Sequence, residues 1–480
     1  MAEGSLRNKT VKGVVWSGVE RFSVQGIQFI VLLVMARLIT PHEYGVIGML
    51  TIFIALAQVI IDSGFSQALI RKQDRTETDN CSVFYFNIIV SVLLYAIFFC
   101  IAPLVAKFYN TPELTAIMRV LCLGIIVNSF GVVQIAVYTI KIDFKTLAKA
   151  SASAALISGS IGIFLAYKGF GVWALVIQQL VSLTVNVSIL WICSKWRPQL
   201  LFSWNSVKDF FGFGSKLLVA GSLEAVFQNL YQVVIGKFFS ASIIGFYTRA
   251  LQFVSLPSSN IAGIIQRVTY PVLCEIQEDD DKLPSAFLKV FNVLAFVVFP
   301  MMMFLSFFSD DIILFLLGEK WMDSSILMRL LSISMLLYPI HALNLNMLMV
   351  KGRTDFYLKV EIIKKVLTVV MLVVTIPFGI IVMCYGQILN SLIAFFINTY
   401  YTGKLVGVGA VKQIKNMLPI LIMCVAIGFA SYYTAVFLSD ISVIRISIGL
   451  FMYVVIYLGM AYILKMEVLS DVWRIIKKKR

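Results

Sequence analysis

From one end of the chain to the other, runs of roughly 18 or more mostly apolar residues follow one another, with no long hydrophilic segment between them. In a bilayer core such a run must satisfy its backbone polar groups within itself, so it forms a helix. The expected fold class is therefore an all-α polytopic membrane protein. About fourteen transmembrane helices are read, near residues 14–37, 43–70, 81–106, 115–140, 150–167, 170–194, 212–237, 242–266, 286–309, 325–350, 359–377, 380–402, 416–437 and 441–464. Composition agrees: 60% of the 480 residues are apolar and 14% charged, against about a quarter charged in soluble domains. No stretch is left for a soluble catalytic domain.

The net charge of +15 does not point to nucleic acid, because in such a chain the placement of Lys and Arg carries the information. With the N-terminus in the cytoplasm, the inner segments (the tail, 71–80, 141–149, 195–216, 267–289, 351–365, 403–415 and the C-terminus) hold 30 of the 40 basic residues. The outer connections hold 6: Arg37, Lys107, Lys168, Lys237, Lys320 and Arg445. That asymmetry predicts an even number of spans with both termini cytoplasmic, in a cytoplasmic (inner) membrane. Arg7, Lys9 and Lys12 precede the first span, and no cleavable leader is apparent. Four arginines remain inside or at the edge of spans: Arg21, Arg119, Arg249 and Arg329.

An internal repeat organises the chain. A shift of 200 lays "QFIVLLVMARLITPHEYG" (Gln28 to Gly45) over "QNLYQVVIGKFFSASIIG" (Gln228 to Gly245), matching Gln28 with Gln228, Thr40 with Ser240 and Gly45 with Gly245. A shift of 210 pairs Arg119 with Arg329, and "KIDF" at 141 faces "KGRTDF" at 351, read as two residues longer. The expectation is a duplication of six spans: an N-lobe (1–200) and a C-lobe (201–405), parallel to each other because the unit is even, plus a C-terminal helix pair and basic tail (406–480). Parallel lobes place a substrate cavity between them.

The first span is unusually polar. Arg21, Gln25 and Gln28 share one helical face with Ser17; against lipid, the charge alone would cost a few kcal/mol or more, so the stripe should face protein or water. Glu224, Gln228 and Gln232 repeat the device in the seventh span. A shared cavity accounts for both; for Arg21 and Glu20, snorkelling to the interface is the competing account. Arg249 lies about two turns into the eighth span and reads as a ligand-binding cation. Arg119 and Arg329 fit either the cavity or anchoring at the outer interface. Asp62 is a coupling candidate or a capping residue. His341, in "LLYPIHALNLN" with Pro339 and Asn344, marks a Pro-distorted span able to gate or to couple to a proton, although a lone His is more often packing. The seven Cys have no metal-like spacing and read as free thiols. No metal or other cofactor is expected, and the absence of a GxxxxGK[ST] loop argues against direct ATP use.

A cavity holding several guanidinium groups suits an anionic amphiphile. The run "MARLITPHEYGVIGML" followed by "DSGFSQALIRKQ" resembles the N-terminal signature of Wzx-type flippases, in the colanic and teichuronic acid exporter branch of the multidrug, oligosaccharidyl-lipid and polysaccharide exporter (MOP) superfamily. The resemblance implies a V-shaped pair of lobes that moves an undecaprenyl-diphosphate-linked glycan from the inner to the outer leaflet by alternating access, for surface polysaccharide. The energy source stays open among a proton, Na+ and the membrane potential; the candidate partners are a coupling ion (H+ or Na+), membrane lipids and polysaccharide polymerase machinery. Related lipid II flippases carry an arginine in the first helix, to which Arg21 corresponds, and two helices beyond a twelve-helix core; most Wzx-type proteins have twelve. Three rivals stand beside this reading: a small-molecule or cation antiporter of the same fold, a membrane polymerase or glycosyltransferase, and a non-enzymatic scaffold. The enzyme reading would need a substantial outer loop, and the longest here, near Asp310 to Ser324, is short, with Asp310 and Asp311 read as helix capping.

Overall fold

The computed structural model describes residues 23–62, 65–466 and 468–469. Glu20 and Arg21 lie outside the described residues. The chain is a series of helices: α1 Ser23–Leu38, α2 Pro41–Asp62, α3 Phe65–Arg71, α4 Glu77–Tyr109, α5 Leu114–Leu121, α6 Leu123–Ile140, α7 Phe144–Tyr167, α8 Val172–Cys193, α9 Trp204–Phe238, α10 Ala241–Glu275, α11 Lys282–Phe307, α12 Ser309–Leu316, α13 Asp323–Met335, α14 Tyr338–Val350, α15 Thr354–Thr375, α16 Ile380–Val406, α17 Ala410–Leu438 and α18 Ser442–Ile463. Among the described residues, eleven helical segments are long and apolar enough to cross a membrane. The other three expected spans are helical too, but α1 is described only from Ser23, and α10 and α15 are more polar.

Several basic residues read from sequence as inner-loop residues are instead on helices: Lys208 and Lys216 on α9, and Lys359, Lys364 and Lys365 on α15. The span read as 325–350 is two helices, α13 and α14. Pro339 opens α14 at its first turn, where a missing N–H breaks no bond, so it starts a helix and does not kink one.

The chain packs as two compact units, Met1–Gly245 and Phe246–Arg480. In the first, small residues make the seams. The buried face of α7 is Ala148, Ala150, Ala154, Ala155, Ser158, Gly159 and Gly162; a side chain on Gly159 would run into Val31 of α1, and one on Gly162 into Gln178 of α8. Close backbone approach is how membrane helices gain packing energy where lipid offers no hydrophobic drive. The same unit holds an aromatic core, Phe84 packed edge-on against Phe130 and Trp196. Trp196 Nε1 donates to Glu77 at 2.8 Å and Ser203 N to Ser82 Oγ at 2.8 Å, tying the segment after α8 back to the start of α4.

In the second unit Phe287, Phe291, Phe299 and Met302 of α11 are fully buried, and α17 and α18 dock onto them. Gly428 meets Phe307 and Gly449 meets Phe308, where no larger residue fits. Polar pins fix the pair: Tyr457 Oη donates to the Phe296 carbonyl at 2.8 Å, and Asn292 Nδ2 to Asn416 Oδ1 at 3.3 Å.

Corresponding bonds recur at the offsets read from sequence. Ile39 N donates to Met35 O at 2.8 Å and Phe239 N to Ile235 O at 2.9 Å. Glu43 N donates to Thr40 Oγ1, and Ile243 N to Ser240 Oγ, each at 3.4 Å. Only the first copy completes a capping box, Thr40 N donating to Glu43 Oε2 at 2.7 Å. The turn at 351 is not two residues longer than that at 141. Lys141, Ile142 and Asp143 donate to Val137, Thr139 and Tyr138, and Lys351, Gly352 and Arg353 to Met347, Met349 and Leu348, the same pattern shifted by 210. "DF" in the second copy has moved into the helix. There Asp355 pairs with Arg353, whose guanidinium holds the carboxyl down to about 2.

Candidate functional site

The residues singled out by sequence separate by what they bond to. Arg119 stacks its guanidinium 4.1 Å from the centre of the Phe99 ring and donates through Nε to the Phe99 carbonyl at 3.3 Å. Its repeat counterpart Arg329 pairs with Asp310 at 2.6 Å and donates to Ser309 Oγ at 3.3 Å. Both arginines reach back to a neighbouring helix, which is the anchoring arrangement. Asp310 and Asp311 are not a dyad: Asp311 faces Arg445 of α18 at 3.5 Å. Arg249 donates to Gln252 Oε1 at 2.5 Å on its own helix, and Gln228 donates to Glu224 at 3.1 Å with both exposed. Gln25 is half-buried and Gln28 exposed on α1. Asp62 is exposed at the end of α2.

Asn344 is a structural pin. Its Nδ2 donates to the Ile340 carbonyl and to Gln413 Oε1, each at 3.0 Å, while Gln413 Nε2 returns a bond to Asn344 Oδ1 at 2.8 Å and donates to the Val408 carbonyl at 3.0 Å. Both residues are buried and both amides spend every N–H. The pair links α14 to α17. His341, one turn earlier, lies between Asn398 Nδ2, 3.1 Å from Nδ1, and Ser391 Oγ, 3.2 Å from Nε2. Both ring nitrogens therefore have a polar neighbour, and which of them carries the proton depends on the tautomer. On α15, Glu361 and Lys364 form an ion pair, and Asn390 Nδ2 donates to Thr368 Oγ1 at 3.2 Å.

The first unit holds the converse. Where α2, α5, α6 and α8 meet, a cavity of about 150 Å³ is lined by four polar side chains, Gln58, Asn128, Gln179 and Ser182, among the apolar Ile54, Ile61 and Leu121. None of the four bonds to a described residue, and the lining carries no charge. Gly124 keeps α6 close to α8 here: a Cβ would lie 2.8 Å from Leu183 Cδ1. Gln58 is exposed and Asn128, Gln179 and Ser182 are half-buried, so their polar groups are open to water or to a ligand. They are spared the cost of about 2–7 kcal/mol carried by an amide denied any partner. The volume is ample for several waters, since about 10–15 Å³ of such space holds one. Sequence reasoning from charge does not single out these residues. Their signal is one or two amides inside an apolar run: "IALAQVII", "GIIVNSFG" and "VIQQLVSL".

The fold has known counterparts. It resembles the lipid II flippase MurJ in an inward closed conformation, with a TM-score of 0.76 at 15% identity over 94% of this chain and 99% of that one. It also resembles an inward-facing MATE multidrug transporter of the MOP superfamily, with a TM-score of 0.62 at 17% identity over 80% of this chain and 96% of that one. The chain belongs to the polysaccharide biosynthesis protein family, whose model matches residues 34–326. Teichuronic acid biosynthesis protein TuaB of Bacillus subtilis (strain 168) is 26% identical over 353 residues, 73% of each chain. Lipopolysaccharide biosynthesis protein WzxC of Escherichia coli (strain K12) is 25% identical over 409 residues, 82% of this chain and 81% of that one. The resemblance read from the second span is borne out. The chain is thus a multi-pass membrane protein of the polysaccharide biosynthesis protein family, with a fold like those of MurJ and MATE.

Proposed function

We propose that the chain carries an oligosaccharide repeat unit, linked to undecaprenyl diphosphate, from the inner to the outer leaflet of the bacterial cytoplasmic membrane by alternating access, for a surface polysaccharide. The observation that carries the reading is the neutral pocket of Gln58, Asn128, Gln179 and Ser182. Amides and hydroxyls both donate and accept, which matches a hydroxyl-rich glycan. A cationic drug calls for carboxylates or aromatic faces, and this lining has neither. The diphosphate is assigned to Arg21 and Arg249, whose planar forks suit phosphate oxygens, with Gln25, Gln28, Glu224 and Gln228 as further substrate-binding candidates. On this reading residues 1–200 and 201–405 are duplicated lobes, 406–480 an addition, and both termini are cytoplasmic. A proton or Na+ gradient drives the cycle, with His341 as the coupling candidate, and a polymerase consumes the product.

The test is the fate of lipid-linked glycan in cells depleted of the protein, scored by access to an impermeant glycan-modifying reagent. Intact repeat units should accumulate on the cytoplasmic side while surface polysaccharide is lost. Normal flipping would leave the small-molecule antiporter standing, and unpolymerised repeats on the outer side would point to the polymerase.

A further inference from the structure

At the end of α16 the chain reverses through Gly407 (φ +69°) and starts α17. The reversal is tight because both sides lack side chains: a Cβ on Gly403 would lie 2.8 Å from the Gly409 Cα. The outcome is an open groove of about 510 Å³ with a floor of Thr399, Gly403 and Gly409 and a rim of Phe396, Tyr400 and Lys404. The rim residues are at i, i+4 and i+8 and so form one stripe along α16. Phe396 and Tyr400 are 54% and 66% exposed.

The stripe grades in polarity over about 12 Å, at 1.5 Å per residue. An apolar ring comes first, then a phenol, then an ammonium at the end the charge asymmetry assigns to the cytoplasm. Tyr is the side chain of membrane–water interfaces, and Lys that of the inner phosphate layer. The Lys404 ammonium sits 5.9 Å from the centre of the Phe356 ring, and the Arg353 guanidinium lies 3.6 Å from the same centre. Arg353 is neutralised by two bonds to Asp355, at 2.9 and 2.7 Å. Lys404 has no acidic partner among the described residues, and Lys412, on the first turn of α17, adds a second exposed positive charge.

We propose that this groove binds one anionic glycerophospholipid of the cytoplasmic leaflet, an acyl chain lying along Phe396 and Tyr400 and the phosphate against Lys404. The charge complementarity selects the occupant: a zwitterionic lipid brings its own cation to a site that already holds an uncompensated one. The bound lipid would brace the junction between α16 and the docked pair α17 and α18. The proposal is independent of the transported substrate.

The full chain in detergent is titrated with phosphatidylglycerol, and with phosphatidylcholine as comparison, and bound lipid is counted by native mass spectrometry. Wild type should retain one phosphatidylglycerol that phosphatidylcholine does not replace. Lys404→Gln should weaken it about fivefold, the equivalent of about 1 kcal/mol per basic residue at an anionic surface; Lys404→Glu should abolish it, and Lys404→Arg should keep it. Tyr400→Ala should weaken it with the charge intact. Equal retention in wild type and Lys404→Glu overturns the site. Retention of undecaprenyl phosphate in place of phosphatidylglycerol, sensitive to the same substitutions, overturns the assignment and makes the groove part of the substrate route.

Discussion

Two groups of amides, one in each unit, are used in opposite ways. In the second, Asn344 and Gln413 satisfy each other and two backbone carbonyls, and the pair pins α17 to α14. In the first, Gln58, Asn128 and Gln179 face a cavity and bond to no described residue. The residue types are the same, but Asn344 and Gln413 are buried whereas Gln58 is exposed and Asn128 and Gln179 half-buried, so composition alone does not tell a pin from a binding group. Counting donors and acceptors does, because a pinned amide has nothing left to offer a ligand.

Substitution should break that comparison cleanly, with the largest effect at the pin. Asn344→Leu or Gln413→Leu leaves the other amide buried with unmet bonds, a loss of about 1–3 kcal/mol, read as a lower unfolding temperature in detergent. The double Leu variant should recover part of it, since removing both partners removes the unmet group. Additive losses in the cycle would mean that the two amides are not coupled.

At the pocket the expectation inverts. Asn128→Leu or Gln179→Leu should leave thermal unfolding unchanged or slightly raised, while export falls about tenfold, the scale of one hydrogen bond of about 1.4 kcal/mol to a ligand. Unfolding losses as large as those at Asn344 would show these amides to be pins as well, and would remove the pocket from the transport reading.

The two outer arginines offer a smaller contrast. Arg329 holds Asp310 through an ion pair more than a third exposed, worth about 1 kcal/mol or less, whereas Arg119 lies on the Phe99 ring. The stability lost in Arg329→Ala should shrink when stability is measured in molar salt, which screens exposed charges. The loss in Arg119→Ala should respond less to salt. Equal salt responses would mean that the ring contributes little at Arg119.

What the sequence made legible follows from what a bilayer dictates locally. Span positions, the break near Thr375 to Ile381, realised as a short turn closed by Gly379 (φ +95°), and the offsets of 200 and 210 all rest on apolar length and local turn chemistry. Commitments across the fold were not legible: the partner of Asn344 is 69 residues away and Glu77 meets Trp196 across 119. Charges drew the eye because charge in a membrane is costly, yet Arg119 and Arg329 are anchored at neighbouring helices. Gln58 and Asn128 cost less to place in an apolar run and stand out only once the structure shows them unbonded.

The turns into α7 and α15 allow the finest test of the repeat. Asp143 and Arg353 have nearly the same backbone, φ −93° with ψ 66° and 64°, and the residues before them are both left-handed, Ile142 at φ +57° and Gly352 at φ +67°. Glycine accepts that region freely, while a β-branched residue there is strained by about 1–2 kcal/mol. Ile142→Gly should therefore relieve the strain, less the greater freedom glycine gives the unfolded chain, about 0.5–1 kcal/mol. The net is a gain of about 0.5 kcal/mol, seen as a small rise in unfolding temperature. Gly352→Ile, the reverse exchange at the matching position, should lower it. If Ile142→Gly destabilises instead, then contacts of the Ile142 side chain outweigh the strain, and the two turns share a backbone for different reasons.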